Sequence, residues 1–293
     1  MVAREGILKT MFALKIQGKK PGKTLLVTGG MDGDEYAGIE AAYTLAEQYK
    51  EGNFAGRLVI VPVVNMPGFQ NESSHNPKDG KFPKFIFPGR RFGTSSERMV
   101  HRLLASYVRG ADAWLDLHGG ALTERMTPFL WMFDTGVVAV DSLGETFYRA
   151  SGAAHVLVEK CGAGSKAYTL ARQGCLYILA ESGGRGERKA EDVERHMVWA
   201  GALMQTLGML EETLSSHQPP AVYRHVELIT APFDGIVRST PRATVTKGDT
   251  LAEICTYDTG NHATLTSPVS GTILWQKETM SMRRGDTLYA IGY

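Results

Sequence analysis

Between residue 24 and about residue 210, short apolar runs alternate with longer segments whose apolar residues recur at helical spacing. This pattern predicts an α/β domain, a largely parallel sheet flanked by helices. Residues 24–28 read as a buried strand, 29–35 as a glycine-rich turn, 38–49 as a helix and 57–65 as the next strand. Thr94-Ser-Ser-Glu97 has the form of a capping box and opens a helix that runs to Arg109. Residues 113–117 read as a strand leading into His118-Gly119-Gly120. Further strands are predicted at 129–133, 155–159 and 176–180, and helices at 141–150 and 190–210. The Pro-, Asn- and Lys-rich passage 66–93 reads as irregular and is longer than a plain connection needs, which favours a functional role.

The alternation then stops. Ser215-Ser-His-Gln-Pro-Pro220 reads as a linker, and beyond Tyr223 only short β-branched runs separated by turns remain. Ala231-Pro-Phe-Asp-Gly-Ile-Val237 matches Ser267-Pro-Val-Ser-Gly-Thr-Ile273, and Val245-Thr-Lys-Gly-Asp-Thr-Leu251 matches Met282-Arg-Arg-Gly-Asp-Thr-Leu288. An internal repeat of this kind predicts a two-fold β-sandwich or barrel. The chain is therefore expected to divide into residues 1–222 and 223–293. The second part resembles the biotinyl/lipoyl barrel-sandwich hybrid, but its hairpin, Cys255-Thr-Tyr-Asp-Thr-Gly-Asn-His262, has no lysine to carry a prosthetic group. A cap beside the mouth of an active site is the expected role.

Charge narrows the partners. Lys and Arg total 32 against 31 Asp and Glu, so the electrostatic footprint of a nucleic-acid or anionic-membrane binder is absent. A small molecule or a second copy of the chain (a homo-oligomer) is the expected partner. Three scattered cysteines fit neither a disulfide framework nor a Cys-rich zinc site. Residues 1–10 lack an apolar h-region, and no apolar run reaches membrane-spanning length, so the expectation is a cytoplasmic protein. Glycine is over-represented, with 33 residues, and its clusters mark the tight turns where chemistry would sit.

Asp32, Glu35, His118 and Glu181 each follow a predicted strand in or beside such a turn. Ligands of open α/β sheets bind beyond the carboxyl ends of the strands, so these four are expected to converge. Two carboxylates and an imidazole can give Zn²⁺ three ligands and leave a position open for water, whose proton Glu181 could take. Each residue also has a structural alternative. Asp32 and Asp34 could cap the following helix, His118 could be a hydrogen-bonded strand-end residue, and Glu181 could be a turn residue.

Taken in order, the motifs resemble the succinylglutamate desuccinylase/aspartoacylase family, relatives of the zinc carboxypeptidases. They are Gly30-Met-Asp-Gly-Asp-Glu35, Asn65-Met-Pro-Gly68, Asn76-Pro-Lys-Asp-Gly80, Phe87-Pro-Gly89, Ser96-Glu-Arg98, Asp116-Leu-His-Gly-Gly120 and Glu181-Ser-Gly-Gly184. The resemblance spans about residues 23–210, and a barrel-like C-terminal domain also occurs in the family. It implies a carboxypeptidase-like fold and a deacylase that cleaves the amide of an N-acyl amino acid or related N-acylated amine. It also implies one Zn²⁺ on Asp32, Glu35 and His118, with a metal-bound water activated by Glu181.

Two departures stand out. The family's G-x-H-G-x-E histidine is Asp32 here, which makes the ligand set more anionic and more tolerant of harder ions such as Mn²⁺ or Mg²⁺. The Asn-Arg pair of the family's D-G-x-D-L-N-R-x-F-P-G is Lys84-Phe85 here, and the arginine expected to polarise the carbonyl aligns with Ser74. Lys84, His75, Arg90 and Arg91 lie in the same loop and are the candidate replacements for binding substrate. The alternative function is a catalytically degenerate relative that binds a small metabolite or a protein partner. A C-terminal peptidase fits less well without the Asn-Arg clamp.

Overall fold

The computed structural model describes residues 3–4, 11–211, 217–239 and 242–293. The reading of residues 1–10, Ala3 and Arg4 apart, and Ser215 and Ser216 of the linker lie outside the described residues. In chain order the first ten strands are β1 (Ala3–Arg4), β2 (Leu14–Gln17), β3 (Lys20–Thr28), β4 (Ala55–Val61), β5 (Ala113–His118), β6 (Glu124–Met126), β7 (Phe129–Asp134), β8 (His155–Lys160), β9 (Leu176–Glu181) and β10 (Ala221–Tyr223). All but β6 share a 9-stranded sheet in the order β1-β2-β4-β3-β5-β9-β7-β8-β10. Strands β4, β3, β5 and β9 are mutually parallel, as are β7, β8 and β10. The antiparallel steps are β1–β2, β2–β4 and β9–β7.

The helices are α1 (Tyr36–Gln48), α2 (Met66–Gln70), α3 (Ser95–Leu103), α4 (Val138–Ala150), α5 (Lys166–Ala171) and α6 (Ala190–Thr206). The sheet is buried on both faces because its strands are apolar at consecutive positions. Leu25 and Val27 of β3 join Leu45, Phe147 and Leu203 under α1, α4 and α6, whereas Leu26 points the other way, toward Leu103 of α3 and Leu170 of α5.

Several boundaries differ from the sequence expectation, for local reasons. The strand expected to reach residue 65 stops at Val61, because Pro62 has no amide hydrogen for the ladder. The passage 66–93 is not irregular throughout: it holds α2 and a 3-10 turn at Pro83–Phe85. The capping box at Thr94 and Glu97 forms, but α3 ends at Leu103 and gives way to a π-helical turn over Leu104–Val108. The last helix ends at Thr206, two residues before Gly208 turns into the left-handed region (φ 68°).

The remaining strands are β11 (Val226–Thr230), β12 (Gly235–Ser239), β13 (Thr244–Val245), β14 (Thr250–Cys255), β15 (His262–Thr266), β16 (Gly271–Lys277), β17 (Ser281–Met282) and β18 (Thr287–Gly292). They form two sheets, β11-β18-β16-β13 and β15-β14-β12-β17. The sequence repeat maps β12-β13-β14 onto β16-β17-β18, and each copy lends its short strand to the other: β13 pairs with β16, and β17 with β12. Repeat-equivalent Val237 and Ile273, Val245 and Met282, and Leu251 and Leu288 meet in one core.

The two parts are stitched together. Strand β6 leaves the first part to pair with β16, aligning Met126 with Trp275, and Arg125 Nε donates to Glu278 Oε1 at 2.6 Å. Phe129, Leu157, Tyr223 and Leu274 form a small apolar core shared by both parts.

Candidate active site

The carboxyl ends of β3, β5 and β9 lie side by side, and each delivers part of a buried polar cluster. The turn after β3 brings Asp32 and Glu35. It passes so close to α2 that a Cβ on Gly33 would stand 2.1 Å from the amide nitrogen of Phe69, which only glycine avoids. Helix α1 starts just after Glu35 with no side-chain capping bond. Asp34 accepts instead from Ser74 Oγ at 2.6 Å, so neither aspartate caps the helix. His118 closes β5 and sits in register with Glu181 at the end of β9.

Asp32, Glu35, His118 and Glu181 are all buried. His118 Nδ1 lies 2.9 Å from Glu35 Oε2, and that same oxygen accepts the Gly119 amide at 3.2 Å. On the other side of the ring, Nε2 faces Asp116 Oδ2 at 3.3 Å. Asp116 is itself fixed by Thr28 Oγ1 at 2.5 Å and Tyr177 OH at 3.0 Å. Burial alone would lower the pKa of His118, but the charges of Asp116 and Glu35 outweigh it and hold the imidazole well above its ordinary value. Burial, reinforced by the Asp32 charge, pushes Glu35 well above the usual carboxylate range. Both shifts describe one proton held between Glu35 and His118. Burial also raises Glu181, to about 7.

The four predicted substrate-binding residues separate. Lys84, delivered by the 3-10 turn, places its ammonium on Asp32 Oδ2. His75 is half-buried, with Nδ1 2.6 Å from Ser73 Oγ and its ring beside Phe82. Arg90 and Arg91 are exposed, and Arg91 lies over the Phe92 ring. Of the four, Lys84 alone lines the cavity described below.

Three residues of the cluster went unassigned in the sequence. Asp116 is two positions before His118 on the same strand face, a spacing the β period makes readable. Tyr177 stands four before Glu181, again on one face. Lys166 donates to Tyr177 OH at 2.5 Å and lies over the Trp114 and Tyr177 rings, and burial lowers its pKa to about 8. No local sequence signal marks Lys166; the β9 register brings its partners to it.

One ligand atom from each of Asp32, Glu35 and His118 lies within 4.8 Å of the others. Asp32 Oδ1 is buried with no hydrogen-bond partner, while Oδ2 is taken by Lys84. A buried carboxylate oxygen left without a partner is costly even with an ammonium on its sister oxygen, and a cation beside it would satisfy it. Metal ligands must be deprotonated, and once the Glu35–His118 pair gives up its proton the buried carboxylates of the cluster outnumber the ammoniums of Lys84 and Lys166, an excess that a divalent ion would offset. His118 Nε2 is likewise buried without a hydrogen-bond partner, Asp116 Oδ2 lying 3.3 Å away outside hydrogen-bonding geometry, so the cluster holds a second unsatisfied polar atom. The residues fit a divalent cation.

Above this floor opens a cavity of about 620 Å³. Glu35, His118, Lys84 and Glu181 line it, and the β11-β18-β16 sheet contributes Leu228, Leu274 and Ala290 to its lining. Among the described residues no helix is long and apolar enough to cross a membrane.

The family model for the succinylglutamate desuccinylase/aspartoacylase catalytic domain matches residues 21–207. A curated relative, N-alpha-acetyl-L-2,4-diaminobutyric acid deacetylase of Halomonas elongata, is 26% identical over 215 residues, covering 73% of this chain and 63% of its own length. The chain thus spans under two thirds of that relative. The crystal structure of a succinylglutamate desuccinylase/aspartoacylase from Rhodobacter sphaeroides superimposes with a TM-score of 0.86 at 24% identity, over 97% of this chain and 88% of that one. The product-bound ectoine utilization protein EutE (DoeB) of Ruegeria pomeroyi gives 0.86 at 23% identity, over 96% and 88%.

Proposed function

Because the chain belongs to the succinylglutamate desuccinylase/aspartoacylase family, we propose that it is a metal-dependent deacylase that hydrolyses the amide bond of an N-acyl amino acid or related N-acylated amine. The observation that carries this reading is the buried triad of Asp32, Glu35 and His118, with Asp32 Oδ1 unpartnered at the floor of a cavity that Glu181 also lines. The deacetylase activity of the Halomonas elongata relative supports it.

Asp32 Oδ1, Glu35 and His118 Nδ1 would hold the ion, Zn²⁺ or a harder divalent ion that a carboxylate-rich set accepts. When bound, such an ion would supply Lewis acidity toward the amide carbonyl and lower the pKa of a water to about 7. Glu181, poised near 7, accepts a proton from the attacking water and returns it to the leaving amine. The Asp116 carboxylate beside His118 favours its charged form, and the half-buried Lys84 offers its ammonium at the cavity to a substrate anion.

Metal analysis of protein purified without chelator, paired with hydrolysis assays on a panel of N-acyl amino acids, tests the proposal. About one ion per chain and measurable turnover are expected, with Glu181→Gln lowering kcat by about 10²–10⁴-fold while metal is retained. Absence of both metal and turnover, with Glu181→Gln changing nothing, would leave the chain as a small-molecule binder.

A further inference from the structure

Most of the cavity lining is apolar. Glu35, Lys84, His118 and Glu181 mark one end, and from there two strands carry a mainly apolar surface, along which Glu159 accepts from Trp131 Nε1 at 2.9 Å and Lys166 lies over the Tyr177 ring. On β9, Leu179 and Tyr177 follow Glu181 at two-residue spacing on one face; on β7, Phe129, Trp131 and Phe133 do the same. Because β7 pairs with β9 so that Phe129 faces Glu181 and Trp131 faces Leu179, the aromatic row begins directly beside Glu181. Trp131 and Phe133 stack at 6.2 Å, and Phe133 stacks on Tyr177 at 5.6 Å, so the row continues as one aromatic wall.

The apolar lining continues onto the second part of the chain. Leu274 packs with Phe129 and Trp131, and Leu228 and Ala290 also line the cavity. Leu228 is 55% exposed, and Phe85, which also lines the cavity, is 78% exposed. Large apolar side chains held open to solvent at a pocket are the surface a bound apolar group would cover. At about 620 Å³ the space exceeds what a small acyl group beside the polar floor would fill.

We infer that the substrate carries a bulky apolar group, flat or branched, on one side of its amide, and that this group lies along the Phe129–Trp131–Phe133 row while the amide sits at Glu181. The inference rests on the deacylase reading and names the class of substrate. Binding of that group costs no opening of the fold, since the cavity is already formed.

The test compares kcat/KM along two series: N-acetyl, N-butanoyl, N-hexanoyl and N-benzoyl derivatives of one amino acid, and N-acetyl derivatives of glycine, leucine and phenylalanine. In the series that places its variable group on the aromatic row, kcat/KM rises about four-fold per added methylene until the cavity is filled. Leu228→Asp, a change at a half-exposed position, collapses the ratio between the largest and smallest members. Flat or falling values in both series, with turnover present, overturn the inference and leave the deacylase reading standing. Calorimetric binding of the same ligands to Glu181→Gln separates the two ideas. A preference for the larger ligands without turnover by the unaltered protein sinks the deacylase reading alone, and equal binding of large and small ligands sinks the inference.

Discussion

Asp32 divides its two oxygens between different partners: Oδ2 holds the Lys84 ammonium, and Oδ1 is left bare inside the protein. Lys84 therefore offsets part of the extra negative charge that an aspartate brings to a ligand set of this kind. Ligands must lose their protons to bind metal, and the pair Glu35–His118 holds one because both pKa values lie above their ordinary positions. The sign follows: a raised pKa keeps the proton on to higher pH than usual, so protons compete with metal until pH rises past it. Apparent Zn²⁺ affinity should rise from pH 6 to pH 8, with about one proton released per ion in weakly buffered titration; uptake without proton release would contradict the shared proton. Asp32→Ala and His118→Ala should each lose the ion with far-ultraviolet circular dichroism unchanged, and full metal occupancy in both would show that the ligands lie elsewhere. The turn positions of Asp32, Glu35 and His118 were legible in the sequence because glycines flank them. Lys166 and Tyr177 were not, because nothing along the chain says that residue 166 folds back over residues 114 and 177.

Among the elements, α6 is tied to the turn after β9 through His196. Its imidazole is buried, 3.3 Å from the Ser182 carbonyl and edge-on to Trp199, and burial lowers its pKa to about 4. A depressed histidine contributes stability that is present above the unfolded value of about 6.5 and is lost as pH falls toward 4, by roughly 3 kcal/mol at most. Urea unfolding at pH 7 and pH 4.5 should show this loss, and His196→Gln should lessen it; an equal pH slope in both proteins would refute the assignment. The long strands and helices were readable from period and capping alone. Strand β6, three residues long, and α5, six residues long, were not, since each is too short to show a period and is fixed by a partner distant in sequence. The internal repeat was readable, but its exchange of β13 and β17 was not, because pairing between copies leaves no mark on either copy.

At the scale of the molecule, the β6–β16 ladder, the Arg125–Glu278 contact and the shared Phe129–Leu157–Tyr223–Leu274 core tie the two parts together. Calorimetry should show one cooperative transition, and Leu274→Ala should lower its stability by about 2–5 kcal/mol. Two separated transitions in the unaltered protein would show that the stitch is weak. The middle strand of the sheet that walls the cavity is β18, flanked by β11 and β16. As the ribosome extends the chain, Asp32, Glu35, His118 and Glu181 can all be in place long before β18 emerges, yet β11 and β16 then have no strand between them. Until β18 is made, the part of the aromatic row that packs on Leu274 lacks the sheet that covers it, a stage at which aggregation or chaperone capture would compete with folding.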